Sequence, residues 1–373
     1  MATRSETDSG YRFAVAAERD DAELRAALRG SAMPAWVAAT VEREPSYFAA
    51  NDLPGHCVTV TARESHEPGE LAGLCSCAFF PVHLNGRPVE ACYLGSLRLR
   101  EKFRARPGLL KRGFEALPRL VPAAAGASLL FTSIASDNAP ARRILEAGAR
   151  GMPRYTLLGE MATCALGVGC ARGYGLLERA KPSDAAELAA FHNEACSGVQ
   201  LSPVLSEDWL SNSCASGRPM IEHFLIHRRE GRIAACIAVW DQRAYRQIVV
   251  RGYRQPLRAL RGAHNAMARL RGQPQLPPVG GRLEQVFLAF AALDPALDDG
   301  DFFVRLVREA LLSVRMAGAD GALIGLSPNS ARYAALRRAL SCYVYKTRIE
   351  SVALAGATPP EISGFVQPEV ALL

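Results

Sequence analysis

The stretch YLGSLRLREKFRARPGLLKRGF, residues 93–114, passes from alternating apolar residues into a helical pattern, with arginines crowding the turn between them. Arg104, Ala105, Arg106, Pro107, Gly108 and Leu109 have the makings of a phosphate site. The free N–H groups at a helix start and the positive end of its dipole converge on one spot, and guanidinium groups add charge-assisted hydrogen bonds. Pro107 suits a first helical turn, where its missing N–H would bond nothing in any case. It also removes one amide from the cradle, Leu109 adds bulk where a phosphate would approach, and Gly108 is the turn's one glycine. An ordinary strand-to-helix connection with a solvated basic face fits the same residues.

Glu90, in PVEACYL, is the carboxylate best placed for general-base work in this part of the chain. A solvated glutamate on a strand edge reads the same way. Ten cysteines are present, but Cys75, Cys77, Cys92, Cys236 and Cys342 sit in apolar strand-like runs. With no CxxC pair and no Cys/His cluster at zinc spacing, free thiols are expected rather than disulfides or a metal site. His223 and His227, in IEHFLIH, are expected on one face of a strand, with no carboxylate or third ligand beside them.

The formal charge of +7 favours anionic partners, and the bias is local. Arginines stand at 243, 246, 251, 254, 258, 261, 269 and 271, interleaved with Tyr245 and Tyr253, and the span 243–271 holds no acidic residue. A nucleic-acid groove would look like this, as would a solvated helix that meets the phosphates of a nucleotide.

A chain of 373 residues suits two domains with cores of their own. Apolar content of 49% and charged content of 22% are those of an ordinary globular protein. The polar start MATRSETDSG and the absence of a bilayer-length apolar run lead to the expectation of a cytoplasmic protein with no membrane partner. The chain repeats itself in order. ERDDAELRAAL (18–28) and KPSDAAELAAF (181–191) both place an Asp before an amphipathic Ala/Leu run, and SLLFTSIASDNAPARRIL (128–145) matches GALIGLSPNSARYAALRRAL (321–340) as strand, turn and helix. The glycine-dense LGVGCARGYG (166–175) marks the boundary. Domains are therefore expected at 11–165 and 176–373. The second holds an Arg-rich helical insertion at 243–281, and 166–175 is the linker. Each half reads as strand, helix, β-meander, helix, strand, helix, strand, which predicts an α/β (α+β) fold of mixed, mostly antiparallel sheets with helices on both faces.

This order of elements resembles the GNAT superfamily of acyl-CoA N-acyltransferases in a tandem two-domain form. The most specific part is residues 93–145, where the turn Arg104–Leu109 falls on the family's pyrophosphate-binding turn, with Pro107 and Leu109 in place of two small residues. The resemblance implies acetyl-CoA or another acyl-CoA as co-substrate, no metal, and an amine acceptor that is a small molecule or a peptide. It implies that the thioester carbonyl lies on a backbone N–H of the strand near Leu97, Arg98 and Leu99, that Asn138 touches the cofactor arm, and that Glu90 is the base. Leu145 stands where the family has a tyrosine that protonates the departing thiolate, and Tyr155 is the nearest substitute. In the second half the acidic DPALDDGDFF (294–303) replaces a basic turn, so no cofactor is assigned there. The expected activity is direct acyl transfer to an amine in the first half. A non-catalytic acyl-CoA-binding protein and an aminoacyl transferase using charged tRNA remain alternatives.

Overall fold

A computed structural model of the chain describes residues 5–8, 10–32, 36–49, 51, 55–66, 69–104, 106–211, 218–354 and 357–373. The first half consists of β1 (Ser5–Asp8), β2 (Tyr11–Val15), α1 (Asp21–Arg29), β3 (Val37–Glu42), β4 (His56–Glu64), β5 (Leu71–Leu84), β6 (Arg87–Leu99), α2 (Pro107–Leu120), α3 (Pro122–Gly126), β7 (Leu129–Ala135), α4 (Ala139–Leu145) and β8 (Arg154–Gly167). The second consists of β9 (Glu178–Arg179), α5 (Ala185–Cys196), α6 (Glu207–Ser211), β10 (Phe224–Arg229), β11 (Arg232–Trp240), β12 (Gln247–Tyr253), α7 (Leu257–Leu270), β13 (Gln285–Leu293), α8 (Gly300–Met316), β14 (Gly321–Leu326), α9 (Ala331–Ala339) and β15 (Cys342–Ala353).

Turn chemistry sets the two meanders. Asn85 and Gly86 (φ 50° and 76°) join β5 to β6, and Glu230 and Gly231 (φ 52° and 80°) join β10 to β11. Both are left-handed pairs, the twist that suits a two-residue hairpin.

All of these strands except β3 and β12 form one sheet, in the order β1-β2-β4-β5-β6-β7-β15-β8-β14-β13-β11-β10-β9. The order is symmetric about the β15–β8 pair, with β1 as an added edge strand. β7 lies parallel to β6 as β14 lies parallel to β13, so the segments 128–145 and 321–340 hold matching places in the two halves. The last strand of each half crosses over. β15 inserts between β7 and β8, and β8 pairs on its other side with β14. β3 leaves the first half to pair with β12 of the second in a separate two-stranded ribbon. Two glycines of 166–175 serve close packing: a Cβ on Gly167 would lie 1.9 Å from the Gly272 oxygen, and one on Gly169 2.4 Å from the Gly272 Cα.

The repeat extends to side chains. Asp20 accepts from the Ala17 N–H and Asp184 from the Lys181 N–H, both at 2.8 Å, starting α1 and α5 in the same way. Arg63 on β4 pairs with Asp20 (2.9 Å) and Glu23 (2.6 Å), and Arg228 on β10 pairs with Asp184 and Glu187 (both 2.9 Å). Glu23 also accepts from the Leu71 N–H (3.2 Å) and Glu187 from the Ile233 N–H (2.8 Å). In each half one arginine thus ties the helix start to the hairpin. The histidines depart from expectation. His223 lies in a short turn before β10, its Nδ1 accepting from the Met220 N–H, while His227 on β10 meets the Leu176 oxygen, so the two do not share a strand face.

The largest apolar cluster spans both halves, and His192 of α5 lies in it. Its ring packs edge-on against Phe290 with centroids 6.0 Å apart, and its Nδ1 has no partner among the described residues. Burial lowers its pKa from 6.5 to about 4. The unfolded chain therefore takes up a proton that the folded one refuses between those values. Stability is full above pH 6.5 and falls as pH drops, by about 3 kcal/mol from this group. Glu369, in the same core, has its carboxyl raised by burial and acts in the opposite sense. Comparing the wild type with His192→Phe isolates the histidine. Denaturation at pH 4.5 and 7 should show the wild type losing more stability on acidification than the variant, and equal losses would refute the assignment. Arg63→Ala and Arg228→Ala should each lower stability by about 1–2 kcal/mol in urea titrations, because the first strands Asp20 and Glu23 and the second Asp184, Glu187 and the more exposed Glu178. Losses under about 0.5 kcal/mol would mean the clamps are merely solvated pairs.

Candidate active site

β6 and β7 share register only at Ala91–Leu129, Cys92–Leu130 and Tyr93–Phe131. Beyond those pairs the strands run on to Leu99 and Ala135 without further backbone pairing. Ser96 supplies the reason. It has φ 52°, and the register with β5 shifts between Gly95–Ser76 and Arg98–Leu74. That extra residue bends β6 away from its neighbour and opens a wedge in the middle of the sheet.

The faces of the wedge differ. Toward α2 it is apolar, with Leu97 and Leu99 over Leu109, Phe114 and Leu117. On the other face the Tyr93 hydroxyl meets Ser133 Oγ at 2.7 Å. Arg98 also faces that side, near Tyr93, Tyr345 and Tyr47, and burial lowers its pKa. Its Nη1 donates to the Leu97 oxygen (3.1 Å), and no acidic side chain pairs with it among the described residues. Thr132 Oγ1 donates to the Leu94 oxygen (2.7 Å) where the strands part.

The basic turn lies at the open end. Arg104 and Arg106 are exposed, and the Arg104 Nε donates to the Leu99 oxygen (3.3 Å). Arg106 is the N-cap of α2, and Pro107 occupies its first turn. Ala105 lies outside the described residues. Leu109 is 2% exposed and packs under α2, so its side chain does not crowd the turn, contrary to the sequence reading. The N–H groups of Arg104, Arg106 and Leu109 are bonded within the turn, to the oxygens of Glu101, Phe103 and Arg106. Arg112, one turn along α2, brings its guanidinium over Gly108, 3.7 Å from where a Cβ would stand. The i, i+4 spacing from Gly108 was the signal for it in the sequence.

Asn138 caps α4, its side chain accepting from the Ala141 N–H at 3.3 Å. Leu145 fills the core beneath α2 and α4. Tyr155, on β8, lies on the α2 face with its ring edge-on to Phe114 (6.5 Å), and burial holds its phenol well above the usual range. Glu90 is exposed and precedes the paired stretch, so the structure does not bring it beside the wedge. A carboxyl that sequence reasoning missed is nearer. Glu350 on β15 stands opposite Thr132 in register, is 1% exposed and has its pKa raised by burial. Its Oε1 accepts from Arg348 Nε (2.9 Å), and the neighbouring carboxyl of Glu146, which shares that arginine (3.3 Å), adds to the raise. No linear signal marked Glu350, because β15 belongs to the other half of the chain.

The second half has the same wedge in a different state. β13 meets β14 only from Gln285–Gly321 to Phe287–Leu323, and Phe290 (φ 53°) bulges as Ser96 does. The chain's own residues 367–370 occupy this wedge. Glu369 Oε2 accepts from the Phe290 N–H (2.7 Å), Gln367 Oε1 from the Ser327 N–H (2.8 Å), and Val370 packs on Gly325. At the start of α8, Asp299 accepts from the Phe302 N–H (2.5 Å) and Asp298 pairs with Arg332 (2.8 Å). Where α2 offers cations, α8 carries its own anions.

No group of His, Cys, Asp and Glu among the described residues could hold a metal, and the described cysteines are all free. No protein-family model and no curated protein sequence matches the chain. Solved structures do. Saccharomyces cerevisiae N-myristoyltransferase with bound myristoyl-CoA is similar over 97% of this chain and 88% of its own, with a TM-score of 0.60 at 10% identity. A GCN5-related glucosamine N-acetyltransferase region of a fungal multi-domain β-N-acetylglucosaminidase covers 92% of this chain and 38% of its own, with a TM-score of 0.57 at 12% identity. A conserved Enterococcus faecalis protein covers 93% and 73%, with a TM-score of 0.50 at 10% identity. The chain has the GNAT fold of the acyl-CoA N-acyltransferases, as two tandem copies joined in one sheet.

Proposed function

We propose that the protein is an N-acyltransferase that moves an acyl group from coenzyme A to an amine, within the wedge of the first half. The observation that carries this reading is the parting of β6 and β7 beyond Tyr93–Phe131 at the Ser96 bulge. It is supported by the likeness to an N-myristoyltransferase holding myristoyl-CoA. The other wedge is filled by the chain itself, which favours chemistry in the first half.

In this reading Arg104, Arg106 and Arg112 hold the pyrophosphate, with the Gly108 backbone beneath them, and Asn138 borders the cofactor arm. Acetyl-CoA or another acyl-CoA supplies the thioester, whose carbonyl lies on the backbone near Leu97, Arg98 and Leu99. Leu97 and Leu99 face the apolar side and exclude water. The amine, on a small molecule or a peptide, enters from the face of Tyr93 and attacks the carbonyl directly, so holding the two together does most of the work. The carboxyl nearest the parting strands is Glu350, on the α2 face opposite the amine's entry, so in this reading the amine's proton crosses the opening between β6 and β7 to reach it. Tyr155 keeps its proton at neutral pH and delivers it to the departing thiolate. A non-catalytic acyl-CoA-binding protein is the second reading, favoured by the turn amides that are already bonded.

Calorimetry with coenzyme A on the wild type and on Arg104→Ala with Arg106→Ala tests the cradle. Each lost charge-assisted contact should cost about 1.5–3 kcal/mol, and unchanged affinity would place the pocket elsewhere. Acyl transfer to a panel of amines by Glu350→Gln, Glu90→Gln and Tyr155→Phe tests the proton path. Loss of the true base should cost about 100-fold or more in kcat. If that base is Glu350, wild-type activity should rise with pH through its elevated pKa, and Glu350→Gln should flatten that limb. Binding without turnover toward any amine would favour the second reading.

A further inference from the structure

Helix α7 faces the wrong way for a core helix. At 3.6 residues per turn, Ala259, Leu260, Ala263, Ala266, Met267 and Leu270 fall in one arc about 120° wide. All six are exposed, Leu260 by 56%, Met267 by 47% and Leu270 by 83%. A helix in a globular protein ordinarily turns such an arc inward. Here the polar side does the anchoring. Arg261 Nη1 and Asn265 Nδ2 donate to the Leu276 oxygen (3.2 and 2.9 Å), and His264 Nε2 meets the Tyr343 hydroxyl (2.8 Å).

Arginines flank the arc. Arg258, Arg269 and Arg271 are exposed, and none makes an ion pair among the described residues; Arg269 donates only to Gln275 Oε1 (3.1 Å). Trp36 is 60% exposed at the helix's N-terminal end, its oxygen accepting from the Arg254 N–H (3.1 Å) and its ring 5.7 Å from the Arg254 guanidinium.

We propose that α7 docks on an anionic lipid surface. Its apolar arc enters the boundary between headgroups and acyl chains, and Arg258, Arg269 and Arg271 meet lipid phosphates. Trp36 has the amphipathic ring that favours this depth. The expectation of no membrane partner rested on the lack of a spanning segment, and a helix lying in the interface needs none. Charge complementarity selects this occupant. A nucleic acid would use the arginines but leave Leu260, Met267 and Leu270 in water. A second copy would set one arginine-flanked arc against another.

The test is co-sedimentation of the full chain with vesicles of phosphatidylcholine containing phosphatidylserine, and with pure phosphatidylcholine. Binding should need the anionic lipid, weaken as salt is raised, and shift Trp36 fluorescence to the blue; Trp36→Phe should lose that shift. Leu260→Glu with Leu270→Glu should abolish binding while the circular dichroism melt is unchanged. Arg269→Ala with Arg271→Ala should weaken it about fivefold per charge. No partition of the wild type, or equal binding to both vesicles, would overturn the proposal. RNA binding without vesicle binding would assign the surface to nucleic acid, and a dimer broken by the Leu→Glu pair, again without vesicle binding, would assign it to a second copy.

Discussion

The exchange of the two terminal strands is the constraint on which the rest of this molecule depends. β15 and β8 pair from Cys342–Leu166 to Ala353–Arg154, and each then pairs outward with a strand of the opposite half, β15 with β7 and β8 with β14. Without β15, β7 would present an open row of N–H and C=O groups, and without β8 so would β14. Neither half completes its sheet alone. The exchange also carries Glu350 to the edge of the first half's wedge, so the chemistry proposed there draws on both halves.

Duplication supplied two equivalent wedges, and the chain treats them differently. The bulges at Ser96 and Phe290 do the same geometric work, and the clamps of Arg63 and Arg228 hold the same helix to the same hairpin. What differs is charge and occupancy. Arg104, Arg106 and Arg112 gather at the start of α2. Asp298 and Asp299 stand at the start of α8, where a helix N-terminus is already satisfied by its own carboxylate. Residues 367–370 then bond the second wedge's backbone through side-chain oxygens. A single fold thus holds one open cleft and one closed support.

The insertion in the second half belongs to neither wedge. β12 with β3, and α7 behind them, form a layer tied across the halves by Glu42 with Arg251 and by Gln247 with Glu44. That layer presents α7 outward. The arginines that gave the chain its local basic bias therefore divide: Arg243 and Arg251 serve ion pairs within the fold, and Arg258, Arg269 and Arg271 face solvent.

Much was legible in the sequence because it was local. The Asp-led helix starts, the Asn85–Gly86 turn, the alternating strands and the basic turn at Arg104–Leu109 follow from neighbours a few residues apart. So did the duplication, since each copy kept the same order of signals. Other features needed partners hundreds of residues away. Leu109 reads as bulk in the turn until α2 packs it onto Leu97 and Leu99. Glu90 looks well placed until the pairing with β7 begins just after it, and Glu350 looks like any strand residue until β15 lies beside β7. Local propensity determined which elements form and where the charges lie along them. Strand exchange and the fate of each wedge were decided by tertiary structure, because backbone hydrogen bonds between distant strands carry no mark in the side-chain pattern of either strand.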